Sequence, residues 1–345
     1  MRLTFQAGLL FALLMPVCGF ADTAQPGIFR AGGTMDFTLM FPEDSNSVRK
    51  IQMVDELVAI QIYRGFAVVK GEYKMYNTTD TAIIMKVGYP VNTQYKGTEH
   101  GTVATTIFFD QLYALKSYTN HKENAFIVQP AHQRLSLDEN NWYVWADTFK
   151  PKDTTVISVY FIVNTNNADI IQGYKSESNN AFIYLLETGA TWKQPIVKGE
   201  VKIELMDQLK ISDIRGLTPA TAFQADDEKN TLVYRFNNLS PTYENNIALV
   251  YTPNNPTFDF SYISQQRLSL FSSIDSFFAK NNSGLALKAH TFDSPYEVRK
   301  AKWSSLVKAG IIAGISIFGF IAAVLLMRYL ARTVKDNRQA RGRNN

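Results

Sequence analysis

The chain has 345 residues, of which 46% are hydrophobic and 13% aromatic, and its formal charge is +4. This composition excludes a disordered or collagen-like chain, and the length is sufficient for one or two packed cores. Without Arg2 and the six basic and one acidic residues after Met327, 28 basic and 30 acidic residues remain. A nearly neutral body gives no electrostatic basis for binding nucleic acid.

The N-terminus predicts a signal peptide over residues 1–21. An apolar run from Leu9 to Val17 is followed by Gly19-Phe20-Ala21, whose small residues fit cleavage before Asp22. Cleavage would remove Cys18, the one cysteine in the sequence, so we expect no disulfide in the mature chain. Exported eukaryotic domains of this size usually carry disulfides. The expected absence of disulfides therefore favours a bacterial envelope protein.

Residues 22–165 are predicted to form a first β unit. From Ala67 to Met75, small or apolar residues alternate with charged or polar ones, and Ile83 to Tyr89 alternates again. The turn-forming residues Asn77–Asp80 lie between these runs and predict a hairpin. Val156 to Val163 is mostly β-branched or aromatic, which is typical of a central strand covered on both faces.

A polar stretch rich in Asn and Ser, Asn164–Asn180, predicts a boundary before a second β unit at 166–260. Apolar residues then recur at helical spacing from Tyr262 to Lys280, which predicts one amphipathic helix within the segment 261–303. We therefore expect a mainly β, antiparallel, sandwich-like fold of two packed β units with one helix on a sheet. The rest of 261–303 is expected to be a juxtamembrane linker.

The nineteen uncharged residues Ala309–Met327 predict a transmembrane helix over 304–328, because at ~1.5 Å per residue they span about 28 Å. The basic tail, 329–345, predicts a cytoplasmic C-terminus, so the body would lie outside. Gly310 and Gly314 form a small-xxx-small pair, which predicts association with a second copy or another membrane protein. The expected location is the bacterial inner membrane, crossed once.

The sequence carries no recognisable catalytic or metal-binding motif. The histidines lack metal-binding spacing, and no Gly-x-Ser-x-Gly nucleophile or phosphate-binding loop occurs, so we expect no metal and no cofactor. Trp142, Tyr143 and Trp145 alternate along one predicted strand, so one could pack inside while its neighbour contacts a ligand or partner. The alternative is that all of them pack in the core.

The segment Tyr184–Ile196 reads Tyr-Leu-Leu-Glu-Thr-Gly-Ala-Thr-Trp-Lys-Gln-Pro-Ile. It resembles a motif, roughly Tyr-x-Leu-x-Thr-Gly-x-x-Trp-x-x-Pro-Ile, of uncharacterised exported bacterial proteins classed as a domain of unknown function. The resemblance implies an exported, β-rich domain and assigns no activity. From the residues themselves, Trp192 is expected to close the core after a Thr-Gly turn, and a ligand contact is the alternative.

These features together predict a membrane-anchored extracytoplasmic binding, scaffold or complex-assembly protein. Its expected partners are the lipid bilayer and a protein bound through the membrane helix. The alternative is an envelope hydrolase that acts on cell-wall or glycan material with a site built from scattered residues. A cleft with two carboxylates, or with Ser, Lys and His together, would favour the hydrolase. A flat apolar or aromatic patch would favour binding.

Overall fold

The computed structural model contains two compact units, Met1–Val298 and Arg299–Asn345. In the second unit, residues 321–322 and 324–332 are helical. In the first unit, twenty strands and three short or medium helices are described. The residues that the structure describes are 27–35, 38–39, 45–91, 94–99, 103–108, 112–130, 141–172, 175–296, 321–322 and 324–332.

The strands of the first unit are, in chain order, β1 (Gly27–Met35), β2 (Thr38–Leu39), β3 (Ile51–Tyr63), β4 (Phe66–Asn77), β5 (Ile83–Val91), β6 (Gln94–Glu99), β7 (Val103–Phe108), β8 (Leu112–Thr119), β9 (Lys122–Glu123), β10 (Ile127–Pro130), β11 (Asn141–Phe149), β12 (Thr154–Asn164), β13 (Ala168–Gln172), β14 (Lys175–Leu185), β15 (Ile196–Leu205), β16 (Gly216–Thr218), β17 (Phe223–Asp226), β18 (Thr231–Leu239), β19 (Ile247–Pro253) and β20 (Lys288–Ala289). The helices are α1 (Ser45–Val48), α2 (Phe260–Gln265) and α3 (Arg267–Ala279).

These strands form three sheets. The large sheet has nine strands in the order β20-β17-β18-β15-β3-β4-β12-β8-β9. The second sheet has seven, β16-β19-β14-β13-β1-β7-β6, and the small sheet has four, β10-β11-β5-β2. A mainly β fold is thus confirmed. The sheets are not purely antiparallel, because β1 runs parallel to β7 and β14, and β3 runs parallel to β15.

One face of the large sheet packs into the main core, which also contains residues of the other two sheets. Alternate residues of its central strands point into this core, as the period of two requires. On β12, for example, the odd positions enter this core and the even position Ile162 faces the other side. The inward residues of β4 and β12 are Ala67, Val69, Tyr73, Met75, Ile157, Val159, Phe161 and Val163.

The other face of the large sheet is covered by α2 and α3. A helix is present where the spacing from Tyr262 to Lys280 predicts one, but it is interrupted at Gln266. The buried apolar residues Leu270, Phe271, Ile274 and Phe277 form a second core with residues of β3, β4 and β12. This cover explains why β12 is apolar on both faces, as a central strand is expected to be.

The predicted hairpin between Ala67–Met75 and Ile83–Tyr89 is wrong. The first run belongs to β4 in the large sheet, whereas the second belongs to β5 in the small sheet. The chain changes sheets after Asn77, whose buried amide donates to the carbonyl oxygens of Thr81 at 2.8 Å and Phe149 at 2.9 Å. Local turn chemistry cannot distinguish a hairpin from such a crossover, because both begin with a turn.

The sheets do not follow the predicted division into units 22–165 and 166–260. Strand β15 pairs with β3, and β14 pairs with β1, so strands from both sides of the boundary share two sheets. The polar stretch Asn164–Asn180 contains β13 and part of β14. Asn166, Asn179 and Asn180 within it are buried, and the amide nitrogen of Asn180 donates to the hydroxyl of Thr252 at 3.0 Å. Polar composition therefore marks an internal network here, not a linker.

Among the described residues, no helix is both long and apolar enough to cross a membrane. Most of the predicted span 304–328, with Gly310 and Gly314, lies outside the described residues. The predicted signal peptide, 1–21, lies outside them as well.

Candidate functional site

The three tryptophans considered as contact residues are inside the protein. Trp142, Trp145 and Trp192 are 0%, 3% and 1% exposed, and Tyr143 is half-buried. The ring of Trp192 packs near that of Phe149, with 6.4 Å between the ring centroids. The burial of these three rings favours the alternative that they pack in the core, and a ligand or partner contact by Tyr143 stays a prediction.

A groove of about 670 Å³ lies beside the end of α3. We call it the α3 groove. Its volume falls in the range of roughly 300–1,000 Å³ that is typical of small-molecule sites. Its lining residues are Glu204, Lys229, Thr231, Phe277 and residues 280–285.

Alternation along β15 determines which of its charged side chains lie on the side of the sheet that carries this groove. Val201, Ile203 and Leu205 point into the main core, so Lys202 and Glu204 point to the face that α3 covers. Glu204 lies directly opposite Gln61 of β3, which is 1% exposed. The amide nitrogen of Gln61 donates to Oε2 of Glu204 at 2.7 Å, and this bond orients the carboxylate.

Lys202 fixes the position where α3 ends. Its ammonium group donates to the carbonyl oxygens of Phe277 at 3.4 Å, Phe278 at 3.1 Å and Lys280 at 3.0 Å. The last carbonyls of a helix have no partner within the helix, so a buried ammonium satisfies them and is itself satisfied. Lys202 is 3% exposed, and burial lowers its pKa from the usual value.

One wall of the groove, the segment that follows α3, is tied to the large sheet by polar side chains. The ammonium group of Lys229 donates to the carbonyl oxygen of Gly284, and the amide of Asn282 donates to Glu200 at 2.8 Å. Asp226 holds the base of this wall, because its carboxylate accepts the backbone N–H groups of Lys229 and Ala286 at 3.0 and 2.8 Å. These hydrogen bonds lower the pKa of Asp226, and the one from the backbone of Lys229 has the largest effect.

The lining of the groove therefore includes one carboxylate residue, Glu204, held by Gln61, and two exposed lysines, Lys229 and Lys280. Such a set can bind a ligand that carries both an anionic group and a hydrogen-bond donor. Within the described ranges, no group of three or more His, Cys, Asp or Glu side chains could hold a metal ion.

Sequence reasoning missed this site. Lys202 and Glu204 alternate with apolar residues, and that pattern is usually read as a solvent-facing strand side. The available signal was the pair of acidic and basic residues beneath a predicted amphipathic helix. Nothing local shows that the helix ends above these two residues.

No family model matches the sequence, and no curated protein matches it. A candidate nutrient-binding protein from Legionella pneumophila is 13% identical, covers 65% of this chain and 71% of its own, and superimposes with a TM-score of 0.43. An M1 zinc metallopeptidase from Deinococcus radiodurans is 8% identical over 59% of this chain and 42% of its own, with a TM-score of 0.30. Yeast LTA4 hydrolase is 9% identical over 59% of this chain and 29% of its own, and its TM-score is also 0.30.

This chain thus spans less than half the length of either enzyme. Likenesses of this degree assign neither a family nor a function to it. The resemblance carried by Tyr184–Ile196 remains a prediction.

Proposed function

We propose that this chain is an extracytoplasmic binding protein that holds a small polar ligand in the α3 groove. The observation that carries the proposal is the convergence of Glu204, Lys229 and Lys280 on one groove of about 670 Å³. In the same proposal, the segment 1–21 exports the chain and 304–328 anchors it in a bacterial inner membrane. The apolar runs of these segments and the basic tail support that placement.

The groups in the groove suggest the class of ligand. Lys229 and Lys280 suit an anionic group, and the carboxylate of Glu204 suits an amine or hydroxyl. Glu204 is held by Gln61, and Lys229 is held by the carbonyl of Gly284, so less side-chain freedom is lost on binding. A zwitterionic or hydroxylated acid of modest size fits these requirements.

The charges also bear on the alternative of a hydrolase. Glycan hydrolysis by acid and base usually needs two carboxyl groups on opposite sides of the scissile bond. The lining residues of the α3 groove include one, Glu204. This groove is therefore better suited to binding than to that chemistry.

The test is a thermal-shift and calorimetry screen of the purified full-length chain with amino acids, sugar acids and neutral sugars. We expect compounds that carry both an anionic group and a donor to stabilise it, and neutral sugars not to do so. Glu204→Gln and Lys280→Met should each lower the affinity for such a compound about tenfold, which corresponds to one lost charged contact.

The matched control is Lys122→Met on β9, at the edge of the large sheet opposite to β20. It should leave the affinity unchanged. The proposal is wrong if no compound of the panel binds, or if the groove variants bind as tightly as the control variant.

A further inference from the structure

One end of the first unit carries a cluster of basic side chains that lies apart from the α3 groove. Four segments meet there, and backbone bonds join them: Thr78 N–H to Lys50 at 3.0 Å, Lys152 N–H to Thr79 at 3.1 Å, and Lys193 N–H to Ile51 at 2.9 Å. We call this surface the basic end. It consists of Arg49, Lys50, Lys150, Lys152 and Lys193.

The basic end and the α3 groove lie at opposite ends of β3. The basic end adjoins Ile51, the first residue of the strand, and Gln61 at the groove is near its last. Ten residues of extended strand separate the two by about 30 Å. The two surfaces can therefore act independently.

The charge of this surface is unbalanced. Among the described residues of segments 45–50, 78–82, 149–153 and 192–193, five are basic and two, Asp80 and Asp153, are acidic. Four of the five basic residues are exposed, and Lys193 is partly exposed. Concentrated positive charge attracts anionic groups over several ångströms and speeds their encounter.

Two of the ammonium groups are held in place by the same residue. Lys152 donates to the carbonyl oxygen of Thr78 at 2.7 Å, and Lys193 donates to its hydroxyl oxygen at 3.1 Å. A lysine ammonium has three N–H donors, so each group keeps donors for a further acceptor. Side chains that are already positioned lose less entropy when a partner binds.

The chain itself shows which acceptor suits this surface. A carboxylate oxygen of Asp80 lies 3.6 Å from the ammonium nitrogen of Lys152, and the Asp80 side chain is 89% exposed. An exposed pair of this kind is weak, so a carboxylate from another molecule can replace it. Four of the five basic residues are lysines, whereas bidentate phosphate recognition favours arginine.

We propose that the basic end is an interaction surface for an acidic segment of a partner protein, whose carboxylates bind Lys50, Lys152 and Lys193. Asp80 occupies part of this surface when the partner is absent. Binding displaces Asp80 from Lys152 and leaves the α3 groove unaffected.

The first experiment measures binding of a fluorescent oligoglutamate peptide to the full-length chain by anisotropy. The triple variant Lys50→Gln, Lys152→Gln, Lys193→Gln should bind about tenfold more weakly, and added salt should weaken the wild type. The matched control is Lys122→Gln, Lys175→Gln, Lys288→Gln, which removes the same charge from exposed positions elsewhere. It should keep most of the affinity.

A second variant keeps the test valid if the triple variant does not fold. Asp80→Asn removes the internal competitor and should tighten peptide binding about two- to threefold, because one repulsive charge is lost. Equal affinities for the wild type, the triple variant and Asp80→Asn would overturn the proposal. So would binding of polyphosphate or phosphatidylglycerol vesicles without binding of the peptide.

Discussion

The ammonium nitrogen of Lys202 lies 3.0 Å from the carbonyl oxygen of Lys280, the residue that follows the last turn of α3. With the bonds to Phe277 and Phe278, this contact joins a central strand of the large sheet to the helix that covers it. One wall of the α3 groove thus depends on a buried charge. The charge is tolerated because three carbonyl groups and the helix dipole compensate for its lost hydration.

Lys202→Met should lower the free energy of unfolding by about 2–3 kcal/mol, because the carbonyls at the end of α3 lose a charged donor. The same change should speed amide hydrogen exchange across residues 270–285. Chemical denaturation and exchange mass spectrometry measure the two effects. Lys210→Met, at an exposed position, is the control. Unchanged exchange in α3 would contradict the assigned role of Lys202.

Asp147 should make stability depend on pH in the acidic range. Its carboxylate is 3% exposed and accepts hydrogen bonds from Trp145 at 2.8 Å and Thr119 at 2.6 Å. Burial raises the pKa of Asp147 above its usual 3.8. The folded state therefore binds this proton more tightly than the unfolded state. The stabilisation is complete below pH 3.8 and is lost as the pH rises through the folded pKa.

Relative to Asp147→Asn, the wild type should gain stability as the pH falls from neutrality toward 3.8. Urea denaturation of both proteins at a series of pH values measures this difference. The variant serves as the reference, since it does not titrate and shares every other group. A difference that stays constant across the series would show that Asp147 has the same pKa in both states.

Trp192→Ala should lower the free energy of unfolding by about 3–5 kcal/mol, because the indole is 1% exposed and its removal leaves a cavity. It should also weaken oligoglutamate binding, because Lys193 follows directly in the chain. Tyr143→Ala is the comparison and should lower the free energy of unfolding by less, because this ring is only half-buried. A Trp192→Ala protein with wild-type melting would contradict the role of this ring in the core.

Tyr184→Phe should lower the free energy of unfolding by about 1–3 kcal/mol, because the buried carboxylate of Glu56 loses a hydrogen-bond donor. The hydroxyl of Tyr184 donates to the carboxylate of Glu56 at 3.0 Å and lies 3.1 Å from the hydroxyl of Tyr73. All three residues are buried. Thermal melting measures the change, with Tyr143→Phe as the control. Equal melting of both variants would mean that the hydroxyl contributes nothing to stability.

The topology proposal predicts opposite behaviour for two reporter fusions. A reporter that is active only outside the cytoplasm should work when fused near residue 295 and fail when fused to Asn345. The physical reason is that an apolar segment of the length of 304–328 can cross a bilayer and a basic tail stays inside. Activity of both fusions, or of the second alone, would contradict the proposed orientation.

The local structure of several elements follows from the amino-acid pattern alone. Alternation identifies the run Ala67–Met75 as a strand, and the β-branched run Val156–Val163 identifies a central one. The spacing of apolar residues locates α3. These signals are reliable because the direction of a side chain follows from the backbone conformation of its own residue.

The pairing of the strands and the contacts between distant polar residues depend on the folded arrangement of the whole chain. Lys50, Lys152 and Lys193 converge at Thr78 from three distant parts of the chain, and Lys202 becomes buried because α3 ends above it. Such meetings depend on crossovers like the one after Asn77, which place segments far apart in sequence side by side. A local pattern holds no information on these contacts, because the free energy of pairing depends on residues outside its window.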